Sequence, residues 1–235
     1  MGGGANVRLM SNVTHLWAIF LGTFIGLLPI INPLAAAPTF LAITEGDSAA
    51  RRREQARKGC LYMVAILVSF LIGGTFIMNF FGISIPGLRI AGGILMTGIG
   101  MGMLTTQKSA ARPDDEEREA ARKKIDISFS PLAMPMLSGP GSIAVTLGFT
   151  SLATSWTDYF AIIAGIISVA ILTYIVLRLS GRIVNFIGPV GVNAMTKIMG
   201  FLIMCIGVQF VVNGVLNIAT DPDLLRGIRE ALSAR

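Results

Sequence analysis

The chain has 235 residues and a formal net charge of +6, and 53% of its residues are hydrophobic whereas only 14% are charged. This composition, with a mean hydropathy of +0.72, excludes an ordinary soluble globular domain. A single histidine and two cysteines also exclude a histidine-based metal site and a disulfide framework.

Six runs of predominantly apolar residues predict an all-α integral membrane protein. Each run supplies about the 20 residues that a helix needs to cross a bilayer. The runs are continuous rather than alternating, which disfavours a transmembrane barrel. The predicted spans are 16–43, 59–81, 88–104, 127–152, 159–179 and 194–216.

The first predicted span contains helix breakers near its middle. Pro29, Pro33 and Pro38 lie where an ordinary span carries leucine or valine. Asn32 followed by Pro33 is a helix-start signal, because asparagine is a preferred N-cap and proline is favoured at the first helical position. The span is therefore predicted to consist of two half-helices that meet inside the bilayer.

The third span begins with Arg89, and the segment that follows recurs in the sixth span. Residues 89–96 and 197–204 align at an offset of 108, with a base, an isoleucine, a glycine and a methionine in register. Two interpretations stay open for Arg89 and its counterpart Lys197. In the first, both side chains extend to lipid headgroups. In the second, they act in transport of a solute, as a gate or by guiding the carboxylate of a substrate.

A charged segment, 107–126, separates two sets of three spans and is predicted to be a cytoplasmic connector. Fourteen of the nineteen basic residues lie in the loops after the first, third and fifth spans, so both termini are predicted outside the cytoplasm. Three spans on each side make 1–106 and 127–217 inverted repeats, followed by a short amphipathic tail, 218–235, at the outer surface. The positive charge is explained by this topology and by contact with membrane lipid, so no nucleic-acid partner is predicted.

The fourth span repeats the interruption of the first, about 107 residues later. Pro135 precedes Gly139 and Pro140, and the last two again form a helix-start signal. Two matched discontinuous helices are typical of secondary transporters, in which the ends of the half-helices form the substrate site.

The two junctions predict a site for a small zwitterion. Unpaired N–H groups of the second half-helices would bind a carboxylate, and carbonyl groups near Ile30 and Met136 would accept hydrogen bonds from an ammonium group. No Asp or Glu lies in the interior of a predicted span, so no metal or cofactor is predicted, and coupling to a proton or sodium ion is left open. The predicted substrate-binding residues are Asn32, Leu34, Ala35, Ser138, Gly139, Gly141 and Ser142.

These motifs resemble those of the MarC family. The resemblance rests on Asn32-Pro33-Leu34 with Ala37-Pro38, on residues 89–95, and on Pro131-Leu132-Ala133-Met134-Pro135 with Ser138-Gly139-Pro140-Gly141. It implies a six-span prokaryotic inner-membrane protein, in a family that includes SnatA-type transporters of small neutral amino acids. Relatives often have glycine in place of Ala35 and alanine in place of Ser138.

We therefore predict a secondary transporter that moves small neutral amino acids, of the glycine, alanine and serine class, by alternating access. An exporter or channel for other small solutes or drugs, and a non-transporting membrane scaffold, stay as alternatives. An enzyme is disfavoured because no nucleophile is accompanied by a base. The sequence does not indicate the oligomeric state or the direction of flux.

Overall fold

A computed structural model describes residues 3–105, 126–150, 153, 155–222 and 226 of the chain. The predicted connector, apart from Asp126, and most of the predicted tail lie outside these residues. All regular elements of the described residues are helices. They are α1 (Gly3–Ile31), α2 (Pro33–Ile43), α3 (Ala49–Phe81), α4 (Ile85–Thr105), α5 (Ser128–Leu137), α6 (Pro140–Thr150), α7 (Trp156–Arg178) and α8 (Ser180–Ala219).

The predicted all-helical membrane class is confirmed. Among the described residues, α1, α3, α4, α7 and the part of α8 from Val190 are each long and apolar enough to cross a membrane. A sixth crossing is counted if α5 and α6, which meet at a bend of 65°, are taken as one broken span. Four of the predicted spans, 59–81, 88–104, 159–179 and 194–216, coincide with α3, α4, α7 and α8.

The first predicted span, 16–43, differs from the structure in its proportions. The apolar part of α1 alone, Asn12–Ile31, has 20 residues and is about 30 Å long. Pro29 lies inside α1 and Pro38 inside α2, so neither proline interrupts a helix. A proline inside a membrane helix is tolerated where neighbouring helices compensate for its missing N–H. The interruption is confined to Asn32, and α2 is a short helix added to a full-length one.

The segment α5 is less regular than the half-helix that the sequence predicts. Ser130 and Met134 have extended backbones, with φ near −130° and ψ of 124°, because each precedes a proline whose ring disfavours the helical conformation. The remaining turns are wide: Leu132 N donates to Ile127 O at 3.2 Å and Ser138 N donates to Ala133 O at 2.7 Å. Carbonyl groups in this segment therefore leave the regular helical pattern.

Helices α4 and α8 pack antiparallel through glycines. A Cβ atom built at Gly93 would lie 2.5 Å from the carbonyl oxygen of Gly207, and one built at Gly100 would lie 2.5 Å from that of Gly200. The paired residues run in opposite directions along the two helices. Backbones can approach this closely only where side chains are absent, and close van der Waals packing is a main source of helix association in lipid.

Helices α1, α2, α5 and α6, which form the two junctions, are in contact with the remaining four helices. Helix α1 packs against α6 and α7, α2 against α7 and α8, α5 against α3, and α6 against α3 and α4. Every helix contributes to one hydrophobic core, through Leu27, Phe40, Leu71, Met96, Leu137, Val145, Ile166 and Ile203. Large apolar side chains such as Phe76, Ile167 and Phe201 are exposed on the outside, as expected of a surface that faces lipid.

The glycine contacts predict a sharp difference between two neighbouring positions of α4. We expect Gly100→Ala to lower the free energy of unfolding by about 1–3 kcal/mol, because the added methyl group clashes with backbone of α8. Gly98→Ala is the matched control, since a Cβ atom at Gly98 would meet nothing within 4 Å. Thermal unfolding of the detergent-purified variants measures the difference. Equal midpoints for the two variants would contradict the packing.

Candidate functional site

The first helix junction is built around Asn32. Its φ of 44° and ψ of 65° place it in the left-handed region, and among the described residues it is the one residue other than glycine with positive φ. Asparagine tolerates this conformation better than most residues. Its Oδ1 accepts a hydrogen bond from Ala35 N at 3.3 Å, which caps α2, and Pro33 is the first residue of that helix. Local sequence therefore sets both the end of α1 and the start of α2.

The rest of the Asn32 side chain points to a ligand. Asn32 is only 6% exposed, yet its Nδ2 has no hydrogen-bond partner among the described residues. A buried donor without an acceptor costs about 1–3 kcal/mol, and such groups in a native protein call for an explanation. The simplest chemical explanation is an acceptor group that arrives with a substrate.

The second junction has the same feature. Ser138 is 1% exposed, and its Oγ also has no partner. It lies between α5 and Pro140, the first residue of α6. Ser142 is equally buried, but its Oγ donates to the carbonyl oxygen of Gly139 at 2.9 Å. Of the two predicted serines, Ser138 is therefore the one with an uncommitted hydroxyl.

The structure brings the two junctions together, although they are about 107 residues apart in the sequence. A Cβ atom built at Gly141 would lie 3.3 Å from Cγ2 of Ile30 and 3.4 Å from Cδ1 of Ile99. One built at Gly139 would lie 3.0 Å from the carbonyl oxygen of Pro135. The end of α1 thus touches the first turn of α6, with α4 behind it. Both glycines allow a close backbone approach and leave little room for bulk.

Several N–H groups at the junctions precede the regular hydrogen bonds of their helices. The first such bond of α6 runs from Ile143 N to Gly139 O at 3.2 Å, and that of α2 from Ala36 N to Asn32 O at 3.1 Å. The N–H groups of Leu34, Gly141 and Ser142 come before these bonds in the chain. Together with the helix dipoles they favour an anionic group.

A small cavity lies between α2 and α5, near the segment that leads into the second junction, and its lining includes neither Asn32 nor Ser138. Its volume is about 140 Å³, and its lining is formed by Thr39, Ile43, Pro131, Pro135 and Met136. The lining carries no ionisable side chain. Sites for drug-sized molecules are typically about 300–1,000 Å³, so this space suits a much smaller ligand.

The sequence predicts Leu34 and Ala35 as site residues, and in the structure both are half-buried in the first turn of α2. It did not identify Thr39 or the cavity wall formed by Pro131. One signal for Thr39 exists: it stands 107 residues before Thr146, at the same offset that relates Asn32-Pro33 to Gly139-Pro140.

Arg89 and Lys197 occupy matching positions in the predicted repeats, but their surroundings in the structure differ. Arg89 is half-buried and lines a second cavity of about 330 Å³ together with Gly148, Phe149, Phe210 and Asn213. Lys197 is exposed on α8. Neither residue lines the small cavity between α2 and α5.

A buried carboxylate lies at the far end of α1 from the first junction. Asp158 in the first turn of α7 is almost completely buried, and its Oδ1 lies 3.3 Å from Nε2 of His15. Its Oδ2 accepts a hydrogen bond from Ser155 N at 3.0 Å. Asp158 therefore caps α7 and ties it to α1, a structural task at a helix end.

Comparisons with known proteins give a consistent picture. A family model described as "MarC family integral membrane protein" matches residues 17–219. The UPF0056 inner membrane protein MarC of Salmonella paratyphi A is 38% identical over 211 residues, which cover 86% of this chain and 95% of the relative. Proteins of the same name from Citrobacter koseri and Escherichia coli O1:K1 are each 39% identical over 212 residues, with the same coverage. No solved structure matches the chain.

The first junction predicts an unusual ranking of substitutions at Asn32. Asn32→Ala should lower the free energy of unfolding by about 2 kcal/mol, since alanine loses the cap and disfavours a left-handed backbone. Asn32→Gly should cost only a few tenths of a kcal/mol, because glycine adopts that backbone freely. Denaturant or thermal unfolding in detergent measures both. An alanine variant as stable as the glycine variant would show that the left-handed cap is not needed.

Proposed function

This chain belongs to the MarC family of integral inner-membrane proteins, and we propose that it is a secondary transporter of small neutral amino acids. The observation that carries the proposal is that two of the four buried side-chain polar atoms without partners among the described residues, Asn32 Nδ2 and Ser138 Oγ, lie at the two junctions. Each stands at a helix junction, and the two junctions are in contact through Ile30 and Gly141. A polar substrate that binds between them would satisfy both atoms.

An α-amino acid has the chemistry that these groups need. The Asn32 amide and the first N–H groups of α2 and α6 donate to the carboxylate. Ser138 Oγ accepts from the ammonium group or donates to the carboxylate, as a hydroxyl can do either. Carbonyl groups of the wide turns in α5 accept from the ammonium. The zwitterion is thus bound mainly by backbone, and no buried charged side chain is needed.

The small volume near the junctions supports glycine, alanine and serine over larger compounds. The cavity of about 140 Å³ lies below the range of about 300–1,000 Å³ that is typical of sites for drug-sized ligands. A Cβ atom built at Gly139 would lie 3.0 Å from backbone, and one built at Gly141 would lie 3.3 Å from the side chain of Ile30, so there is little spare space at either position. A bulky side chain on the substrate would have to displace α5 or α2.

Alternating access is proposed to use two inverted repeats, 1–106 and 127–217. Helices α1 to α4 of the first repeat correspond in order to α5 to α8 of the second. The contact of α1 with α7 then corresponds to that of α5 with α3, and the contact of α2 with α8 to that of α6 with α4. The glycine pair Gly93–Gly207 corresponds in the same way to Gly200–Gly100, at an offset of 107. These correspondences support two repeats of related structure arranged around a shared site. Both termini are proposed to lie outside the cytoplasm, on the charge distribution of the loops.

The test is uptake of radiolabelled glycine and alanine into proteoliposomes. Asn32→Asp keeps the capping oxygen but replaces the amide donor with a negative charge that repels a carboxylate. We expect uptake to fall by about tenfold or more, which corresponds to about 1.4 kcal/mol. Ser138→Ala should raise the half-saturating substrate concentration about 3-fold to 10-fold.

Ser168→Ala is the matched control, because this half-buried serine lies on α7 and its hydroxyl donates to the carbonyl of Ala164 in the same helix. It should transport like the original protein. Flux no greater than that of protein-free vesicles would refute the proposal, as would transport of bulky cations that is indifferent to Asn32→Asp. The second result would favour the exporter or channel.

A further inference from the structure

The larger cavity at Arg89 lies at the other end of α6 from the helix junctions. Gly148, in its lining, is eight residues after Pro140 in the same helix, a distance of about 12 Å. We propose that this cavity is a second substrate site, which binds the carboxylate of an amino acid on its way to or from the junctions. The inference rests on the proposed function and extends it to a second position along the path.

Arg89 supplies the charge at this site. A guanidinium presents its donors in a planar fork that matches the two oxygens of a carboxylate. The amide of Asn217, oriented to satisfy both neighbours, accepts from Arg89 Nη1 at 2.5 Å and donates to the carbonyl oxygen of Asn213 at 3.1 Å. Asn217 thereby helps to hold the guanidinium in one direction.

A row of amides on α8 continues from this contact. Gln209 Nε2 donates to Asn213 Oδ1 at 2.9 Å, and Asn213 itself lines the cavity. Gln209, Asn213 and Asn217 are spaced by four residues, so they lie on one face of the helix. Three amides in a row are unusual on an apolar membrane helix, and they provide neutral donors and acceptors for the polar end of an amino acid.

The remaining walls are apolar and close together. Phe149 and Phe210 line the cavity, and a Cβ atom built at Gly148 would lie 3.3 Å from Cε1 of Phe210. Apolar walls lower the local dielectric constant and strengthen the attraction between Arg89 and an anion. The volume of about 330 Å³ exceeds that of the cavity between α2 and α5, so the second site accepts an amino acid before its side chain is selected by size.

One face of α6 carries three buried hydroxyl side chains between its first and last turns. Ser142, Thr146 and Thr150 are buried and spaced by four residues. Their hydroxyl protons are donated to carbonyl oxygens of the same helix or its first turn, at 2.9, 2.8 and 2.6 Å. The oxygens stay available as acceptors. These hydroxyls line the side of α6 that meets α3 at Thr150, and none of them lines the Arg89 cavity.

Thiol labelling tests the site without depending on transport. Asn213→Cys is made in a Cys205→Ser background, in which the remaining Cys60 is buried. Labelling rates are compared for a negatively charged and a positively charged methanethiosulfonate of similar size. We expect Arg89→Gln to lower the ratio of the anionic to the cationic rate about tenfold or more, because Arg89 concentrates anions in the cavity. Arg89→Lys should keep most of the ratio.

Two comparisons identify the ligand. Alanine should slow labelling of the Asn213→Cys thiol, and Arg182→Gln, which removes a charge at a position of α8 outside the cavity lining, should leave the ratio unchanged. If Arg89→Gln has no more effect than Arg182→Gln, or if alanine gives no protection, the proposal is overturned. Protection by phosphatidylglycerol in nanodiscs, but not by alanine, would assign the cavity to a lipid headgroup and also overturn it.

The uptake assay separates this inference from the proposed function. In proteoliposomes, Arg89→Gln should raise the half-saturating alanine concentration about tenfold and leave the maximal rate nearly unchanged, because the junction site is intact. Normal half-saturation in Arg89→Gln, with transport otherwise sensitive to Asn32→Asp, refutes the second site alone. Absence of amino-acid flux from the original protein refutes the proposed function, whatever the labelling ratio shows.

Discussion

The need to satisfy backbone polar groups without water governs this structure. A membrane interior offers no solvent to a freed N–H or carbonyl group, so a broken helix must supply partners from its own chain or from a ligand. At Asn32 the side-chain oxygen caps α2, and at Ser142 the hydroxyl bonds to the carbonyl of Gly139. These two hydrogen bonds still leave Asn32 Nδ2 and Ser138 Oγ without a partner among the described residues. The candidate site is defined by these two atoms.

The frame around the junctions depends on a different interaction. Because lipid chains are as apolar as leucine, helices in a bilayer gain little from the hydrophobic effect and associate by close packing. The contacts of Gly93 with Gly207 and of Gly100 with Gly200 bring the backbones of α4 and α8 together. Helices α3 and α7 enclose the broken helices from the other sides. Because α4 lies in the first half of the chain and α8 in the second, this glycine contact holds the two halves together around the irregular segments.

The absence of charge from the described junctions decides what they can bind. A site that carried a buried arginine or aspartate would have to neutralise that charge in every state of the transport cycle. Helix termini and amides attract a zwitterion without this cost when the site is empty. In the proposed mechanism, the cavity lined by Arg89 and Gly148 attracts the substrate, and the junctions select it; Gly148 lies about 12 Å along α6 from Pro140. The Arg89 cavity, at about 330 Å³, is also larger than the cavity of about 140 Å³ between α2 and α5.

Much of this molecule was already decided by local sequence. Apolar runs located four spans closely, because span length is imposed by bilayer thickness, and the starts of α2 and α6 follow from Asn32-Pro33 and Gly139-Pro140. The prolines at 131 and 135 also determine the extended backbones of Ser130 and Met134. The sequence pattern predicts a half-helix there, because it registers the helix start at Gly139-Pro140 and not the effect of each earlier proline on the residue before it.

Other features were decided only by packing between distant residues. No local pattern brings Ile30 to Gly141, extends α1 as a full-length helix up to Asn32, or gives Arg89 a cavity while leaving Lys197 exposed. These depend on contacts between residues far apart in the chain. A proline or an N-cap acts on its own turn of helix, whereas a site between two halves exists only when both halves are folded together.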